Sequence, residues 1–517
     1  MKRWIAAGVA AVVLVALGAG GAFVLHRKQQ EHDVRGSSTV EFVPEELAAA
    51  KPEEPRVAWP TYGYDPERQR FANGISLAPP FKRVWTFRAQ NLIEFPPAVA
   101  YGRLYFSNNS GTTFAISART GKRAWKYESN RCQAASPAVY RHVVFLTFLN
   151  RPPCNAKKVG DGQLIAFHAG SGRIKWRKRI GPSESSPVVV DDTVYVGDWT
   201  GRVYAFAART GKLWWAFKTD GRVKGAVAVS GGRVYVGSYD HHVYALNAQS
   251  GKLIWKAGAQ QRLGHRGSFY ATPAAAYGRV YVGATDGKMY SFGATSGKLR
   301  WVQSTGGFVY SSPAVWRRRV FVGSYSGRFF AFDAATGDVR WRFKANGPIS
   351  GAPTVIAGRV YFSTLKRRTY ALDARTGRPV WTYPDGKYSP VVADPERMYL
   401  VGYARVYGLD EKRAVPPPPR PIAVATLLRS LHAAGFRQAH LRRAGEATAI
   451  RRPGATVVVG SVFAARYPTI AKATGAPSVA GGTRVCNVIV AAPRGAVAKR
   501  KLARAVAELR KACAPKK

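Results

Sequence analysis

"TYALDARTGRPVWTY", residues 369–383, reads as an alternating apolar strand, a tight Thr-Gly turn and a second strand carrying a tryptophan. The same plan stands upstream in "FFAFDAATGDVRWRF" (329–343), "VYALNAQSGKLIWKA" (243–257) and "VYAFAARTGKLWWAF" (203–217). The repeated tryptophans are Trp85, Trp125, Trp176, Trp215, Trp255, Trp301, Trp341 and Trp381. Five of their seven gaps are 39 or 40 residues, and gaps of 51 and 46 mark two insertions. Each unit holds four short runs of period-two alternation separated by Gly-rich turns, the pattern of four antiparallel strands. Glycine supplies the positive φ that the Thr-Gly or Ser-Gly turn demands.

Four-stranded units at a period of ~40–45 residues are the blades of a β-propeller, where each blade buries its faces only against its neighbours. The expected fold is an all-β eight-bladed β-propeller over residues 81–413, with the tryptophans packing blade on blade. The last unit, 388–413, lacks its tryptophan strand, and "FKRVWTFRA" (81–89) is an orphan of the missing type. The N-terminal strand is therefore expected to complete the last blade and close the ring, which removes the sheet edges.

The repeat A-[LF]-[DN]-A-x-[TS]-G-x-x-x-W, at Ala245–Trp255, Ala331–Trp341 and Ala371–Trp381, resembles the pyrroloquinoline quinone (PQQ) repeat. That family holds quinoprotein alcohol dehydrogenases and the outer-membrane β-barrel assembly lipoprotein, so the resemblance implies either a cofactor enzyme or a scaffold. An enzyme of that kind implies a calcium site of carboxylates and amides, a stacking platform, a catalytic Asp and two adjacent cysteines. No Cys-Cys pair occurs here, and the starts of the innermost strands supply only Glu94 and Glu184 as carboxylates. No catalytic, cofactor-binding or metal residues are assigned. PQQ with calcium, in a quinoprotein dehydrogenase with a divergent site, is the alternative. His241 and His242 on a hairpin turn, and His265 in the second insertion, read as solvated surface residues.

Strand order divides the turns between two faces. Turns after the first and third strands share one face and are basic: "YGR" (101–103), "RTGK" (119–122), "RRR" (317–319) and "RTGR" (375–378). Second turns and between-blade connections share the other face, with Trp199, Tyr239 and Tyr325 at one register and both insertions. That aromatic face is expected to bind a protein or peptide partner, because loops on a rigid scaffold carry recognition. The basic face suits anionic lipid or a cell-wall polymer; an anionic-polymer-binding envelope protein is a further alternative.

The flanks differ from the repeats. Trp4–Leu25 is uncharged and long enough for the ~20 residues of a membrane span, with basic residues on both sides. It is expected to be a transmembrane signal anchor (1–28), single-pass in a bacterial-type cell membrane with the propeller on the extracytoplasmic side. Residues 29–80, polar with Pro and Glu, read as a stalk. "VPPPPRP" lies in a stiff linker (414–421) ahead of a small α/β domain (422–517), with helical spacing at 424–436 and 496–513 and strands at "TVVVG" and "RVCNVIVAA". The four cysteines lack C-x-x-C spacing, which argues against zinc. Two local disulfides, Cys132–Cys154 and Cys486–Cys513, fit the even count in an oxidising compartment, with buried free thiols as the alternative. The 79 Lys+Arg against 29 Asp+Glu, formally +50, attract polyanions; a membrane surface or envelope polymer is expected rather than nucleic acid.

Overall fold

A computed structural model describes residues 33–44, 56–154, 161–262, 265–388 and 391–412, the strands at 448–452, 455–461, 483–485 and 488–491, and Ala507. Eight four-stranded antiparallel blades follow one another: 98–128, 138–180, 188–218, 228–258, 274–304, 314–344, 354–383, and 391–411 completed by Phe81–Arg88. In that last blade Phe81 pairs with Glu411 and Arg88 with Arg405, so the strand that begins the ring is hydrogen-bonded to the strand that ends it.

The blade seams explain the repeat. In seven seams the tryptophan indole N–H donates to an alanine carbonyl of the next blade at 2.9–3.2 Å, from Trp85 to Ala118 through Trp341 to Ala374. The ring lies flat on the turn glycine of that same neighbour. At Gly251, with φ +70°, a Cβ would stand 2.6 Å from the Trp215 ring, so glycine is required twice over: by backbone conformation and by contact. Trp381 meets the closing strand instead, edge-on to Phe81 at 5.4 Å.

The described part of 29–80 departs from a free stalk. Residues 33–44 lie across blades 5 and 6: Val34 bridges Val302 on an outer strand, Glu41 is bonded to Arg300, and Phe42 stacks on Tyr277. Residues 56–72 enter the central channel from the basic face and circle it. Val57–Trp59 pairs with the inner strand of blade 1, and the carbonyls of Pro60, Pro66, Glu67, Gln69 and Arg70 accept from Val139, Val229, Ala275, Val315 and Val355 on the inner strands of blades 2, 4, 5, 6 and 7. Thr61 Oγ1 donates to Pro187 of blade 3, and Phe71–Ala72 leaves parallel to blade 7. The plug satisfies inner-strand backbone groups that the blades alone leave open.

Its core is polar. Arg68, fully buried, donates to the carbonyls of Val227 (2.8 Å), Ser186 (3.0 Å) and Tyr62 and to Thr61 Oγ1 (2.9 Å). Arg70 donates to Pro313 at 3.0 Å and lies over the Tyr62 ring. Burial, then the charge of Glu67, pushes the Asp65 carboxyl up to about 8.

A second unit comprises Arg413–Lys517. Its described backbone is a four-stranded antiparallel sheet in which "TVVVG" lies on one strand and "RVCNVIVAA" is divided between two, Thr483–Val485 and Val488–Ala491, that pair antiparallel. The proposed anchor, the Pro-rich linker, the two helical segments, Cys486 and Cys513 lie outside the described residues. Among the described residues no helix is long and apolar enough to cross a membrane.

The seam geometry gives a paired test by denaturant unfolding. Gly232 also has φ +70°, but a Cβ there meets nothing within 4 Å. Gly232→Ala should cost about 1 kcal/mol of left-handed strain, whereas Gly251→Ala should cost clearly more, roughly 2–4 kcal/mol, because the Trp215 indole must also shift. Equal losses would show that the indole contact contributes nothing.

Candidate functional site

The second turns and between-blade connections surround the channel mouth on the face opposite the plug's entry. Trp199, Tyr239 and Tyr325 all stand there, in the second turns of blades 3, 4 and 6. They do not touch one another directly. Lys224 bridges the first two, its ammonium 4.4 Å from the Trp199 ring centroid and 5.7 Å from that of Tyr239. The line then runs from Tyr239 to Tyr270 (6.4 Å), Tyr310 (5.1 Å) and Tyr325 (5.0 Å), with Phe308 6.0 Å from Tyr310. Tyr388 and Tyr403 extend the rim, with Lys387 5.1 and 4.9 Å from their rings and Arg367 over Tyr403. Most of these rings are half-buried edge on; Phe308 (51%) and Tyr403 (40%) are the ones that stand out into solvent.

Tyr270, Tyr310 and Tyr388 were missed from the sequence, though a signal was there. Each stands just before the small, Pro-containing start of an inner strand, in "YATPAA", "YSSPAV" and "YSPVVA". Reading those starts for carboxylates passed over the aromatic at their first position.

Below the rim the funnel is shallow. Tyr62 of the plug, packed edge-on to Phe95 at 5.6 Å, helps line it, and the enclosed volume is about 40 Å³. Glu94 and Glu184 do converge there. Glu94 accepts from Asn109 Nδ2 at 3.3 Å, and Lys224 Nζ stands 3.8 Å from Glu184. Burial raises Glu94; it raises Glu184 to about 7, with Lys224 opposing and the charge of Glu94 adding. His242 is engaged locally with Asp240, and His241 with Ser268; the side chain of His265 lies outside the described residues.

The rest of the aromatic face is braced by a disulfide. Cys132, in the connection from blade 1 to blade 2, is bonded to Cys154 in the second turn of blade 2, with Cα atoms 5.7 Å apart. Beside it Cys132, Ala134 and Leu149 form a small cluster on which Phe95 and Trp199 pack. Trp199 is thereby fixed from beneath.

The fold carries a family. Residues 82–151, 160–312 and 303–415 match the family described as outer membrane protein assembly factor BamB. The chain belongs to it. Over 188 residues it is 28% identical to the BamB of Burkholderia pseudomallei, covering 27% of this chain and 48% of that protein. Over 157 residues it is 29% identical to the quinoprotein alcohol dehydrogenase PedH of Pseudomonas putida, covering 26% of this chain and 24% of that one. The chain thus spans less than half of either relative. Among solved structures, BamB from Moraxella catarrhalis superposes with a TM-score of 0.54 at 17% identity, over 64% of this chain and 100% of that one. A europium-containing methanol dehydrogenase gives 0.58 at 13% identity, over 69% and 98%. These two likenesses show the fold.

The quinoprotein relatives raise the question of a cofactor, and the funnel of this BamB-family chain does not fit one. A pocket for an organic cofactor takes roughly 300 Å³ or more, several times the space above Tyr62. Among the described residues no three acidic, His or Cys groups converge on a metal position.

The buried carboxylate makes stability depend on pH. The folded pKa of Glu184 lies above its ordinary 4.5, so its stabilising protonated state is complete below about 4.5 and lost as pH rises through about 7. Glu184→Gln should therefore raise stability at pH 8, by roughly 2 kcal/mol, and change it little at pH 4.5. Melting curves at both pH values check this; a loss at pH 8 larger than that at pH 4.5 would show that the Lys224 pair outweighs burial.

Proposed function

We propose that the protein is a non-enzymatic, membrane-anchored extracytoplasmic scaffold whose aromatic face docks a protein partner. The observation that carries this reading is the aromatic crescent around a channel mouth that the chain fills from below with its own segment. Rigid Tyr and Phe edges backed by Lys224, Lys387 and Arg367 offer a broad contact surface, and little depth is left for a small substrate. Aromatic and cationic anchors of this kind dominate binding energy at protein interfaces. Relatives named as assembly factors fit the same reading.

The anchor is the uncharged span at 4–25. The chain re-emerges at Asp33, whose carboxylate accepts from Ser304 at the outer rim of blade 5. Fully extended, the stretch from Leu25 to Asp33 reaches no more than about 28 Å. On this reading a single-pass anchor holds the aromatic-face end of the outer strand of blade 5 (Leu299–Ser304) within that reach of the bilayer.

Photo-crosslinkers placed at Tyr325 and, as a control, at Arg317 on the basic face test the docking in the native envelope. The Tyr325 probe should give a discrete protein adduct that the Arg317 probe does not. Substituting the exposed Phe308→Ala and Tyr403→Ala together should cut that adduct about tenfold without changing the melting temperature. Equal adducts from both faces would sink the assignment of the face. PQQ retained with calcium after washing, together with dye-linked alcohol oxidation, would sink the non-enzymatic half.

A further inference from the structure

A second space near the channel is roomier than the funnel. On the basic face, where the plug enters and leaves, blades 1 and 8 and residues 73–75 enclose a cavity of about 620 Å³. This lies within the ~300–1,000 Å³ of small-molecule sites. It exists because the plug turns away at Asn73–Gly74 toward the outer strand of blade 8 instead of covering the seam. The Tyr64 hydroxyl, donating to the Asn73 carbonyl at 2.9 Å, holds that turn in place.

The floor is apolar and its polar atoms are already committed. Val57, Ile75, Val99 and Ala118 line it, all buried, with Tyr64 and Tyr399. The Tyr64 hydroxyl is spent on Asn73. The Tyr399 hydroxyl donates to Asp394 at 2.5 Å, and Asp394 also accepts the backbone N–H groups of Glu396 and Arg397. Arg397 is held by Asp410 at 2.6 Å and by the carbonyls of Ala118 and Arg119. A sugar or nucleoside would find few free partners on this floor, and burying its hydroxyls unpaired is unfavourable.

The rim is different. Arg56 and Arg119 are exposed there and make no ion pair among the described residues, while Glu396 is the one other charged side chain left uncommitted. Among the described residues the lining carries Arg56, Arg119 and Arg397 against Asp394 and Glu396, a net charge of +1, on a face that also holds the basic turns 101–103, 119–122, 317–319 and 375–378. An apolar well beneath two exposed guanidiniums that have no ion pair among the described residues matches one ligand chemistry.

We propose that this cavity binds an anionic amphiphile, its hydrocarbon chain on the Val57–Ile75–Val99 floor and its carboxylate or phosphate head at Arg56 and Arg119. The guanidiniums supply charge-assisted hydrogen bonds to the head, and the floor supplies the hydrophobic gain. The ligand is a free fatty acid or alkyl phosphate, or the same chemistry carried by an anionic bilayer lipid.

The test uses the purified full chain and displacement of a dansylated undecanoic acid. Dodecanoate and dodecyl phosphate should displace the probe, dodecanol should compete about tenfold more weakly, and inorganic phosphate should not compete. Arg119→Glu should weaken dodecanoate about tenfold and leave dodecanol unchanged. Glu396→Gln should tighten dodecanoate. Arg375→Glu, an exposed reversal on the same face away from the cavity, should have no effect. All three positions are exposed, and an unchanged melting temperature controls for folding. Vesicles containing phosphatidylglycerol separate the sources: binding that Arg119→Glu abolishes identifies a bilayer lipid, and binding of monomeric dodecanoate alone identifies a free amphiphile. The proposal is overturned if the probe does not bind, if dodecanol competes as well as dodecanoate, or if Arg375→Glu matches Arg119→Glu.

Discussion

An indole laid flat on the neighbouring blade's turn glycine is the contact on which the rest of this molecule depends. Seven of the eight seams are built from it, each joining a tryptophan of one blade to an alanine carbonyl and a glycine of the next. The motif is thus one interface written into each unit, and the ring grows by repeating it. The indole hydrogen bond is worth about 1 kcal/mol net; the larger share comes from ring area removed from water. The seam between blades 7 and 8 follows a different rule. There Trp381 meets Phe81, on the strand that closes the ring, and closure rests on the paired backbone of Phe81–Arg88 with Arg405–Glu411.

A propeller built this way solves its outer seams and leaves an inner one. Eight inner strands face a channel with one edge each unpaired, and the chain meets that constraint with its own residues 56–72. A segment that circles a channel cannot repeat, because each blade presents its backbone at a different angle to it. This one joins the apolar clusters of the blades through Val57, Trp59, Tyr64 and Ala72, and must also place polar side chains against backbone carbonyls. Arg68 answers with a guanidinium whose five donors suit carbonyls arriving from several directions, a geometry that lysine does not provide. With Tyr62 filling the channel from below, little depth remains beneath the rim on the aromatic face.

How much of this was legible follows from what repeats. The blade count, the two faces and the closing strand all derive from a motif copied many times, and copies make a pattern visible above local noise. Trp199, Tyr239 and Tyr325 were found because they share a register; Tyr270, Tyr310 and Tyr388 share another that was read for carboxylates. The plug and the strap at 33–44 occur once. Their polar, Pro-containing composition matches that of a solvated stalk, and nothing in the residue types of "DPERQR" (65–70) distinguishes arginines that bond inner-strand carbonyls from arginines in water. Burial of a charge is a property of its partners, and here the partners lie 118 to 243 residues away. The cavity on the basic face was hidden for the same reason, since Arg56 and Ile75 enter its lining only through the path of the plug.

The same segment touches both faces, through Tyr62 at the funnel and through Arg56, Val57 and Tyr64 at the cavity. Contact with two sites invites the idea that occupation of one is transmitted to the other. Coupling, however, requires an element with two arrangements that the sites bias differently. The plug is bonded to the inner strands of seven blades in sequence, and a shift that favoured one site would break backbone bonds in several blades together. Each broken bond leaves a buried donor or acceptor costing about 1–3 kcal/mol, which exceeds the differential binding that a rim contact or a single amphiphile supplies. The plug therefore isolates the two faces from each other, and a partner on the aromatic rim and a ligand under the basic face can be held independently by one rigid ring.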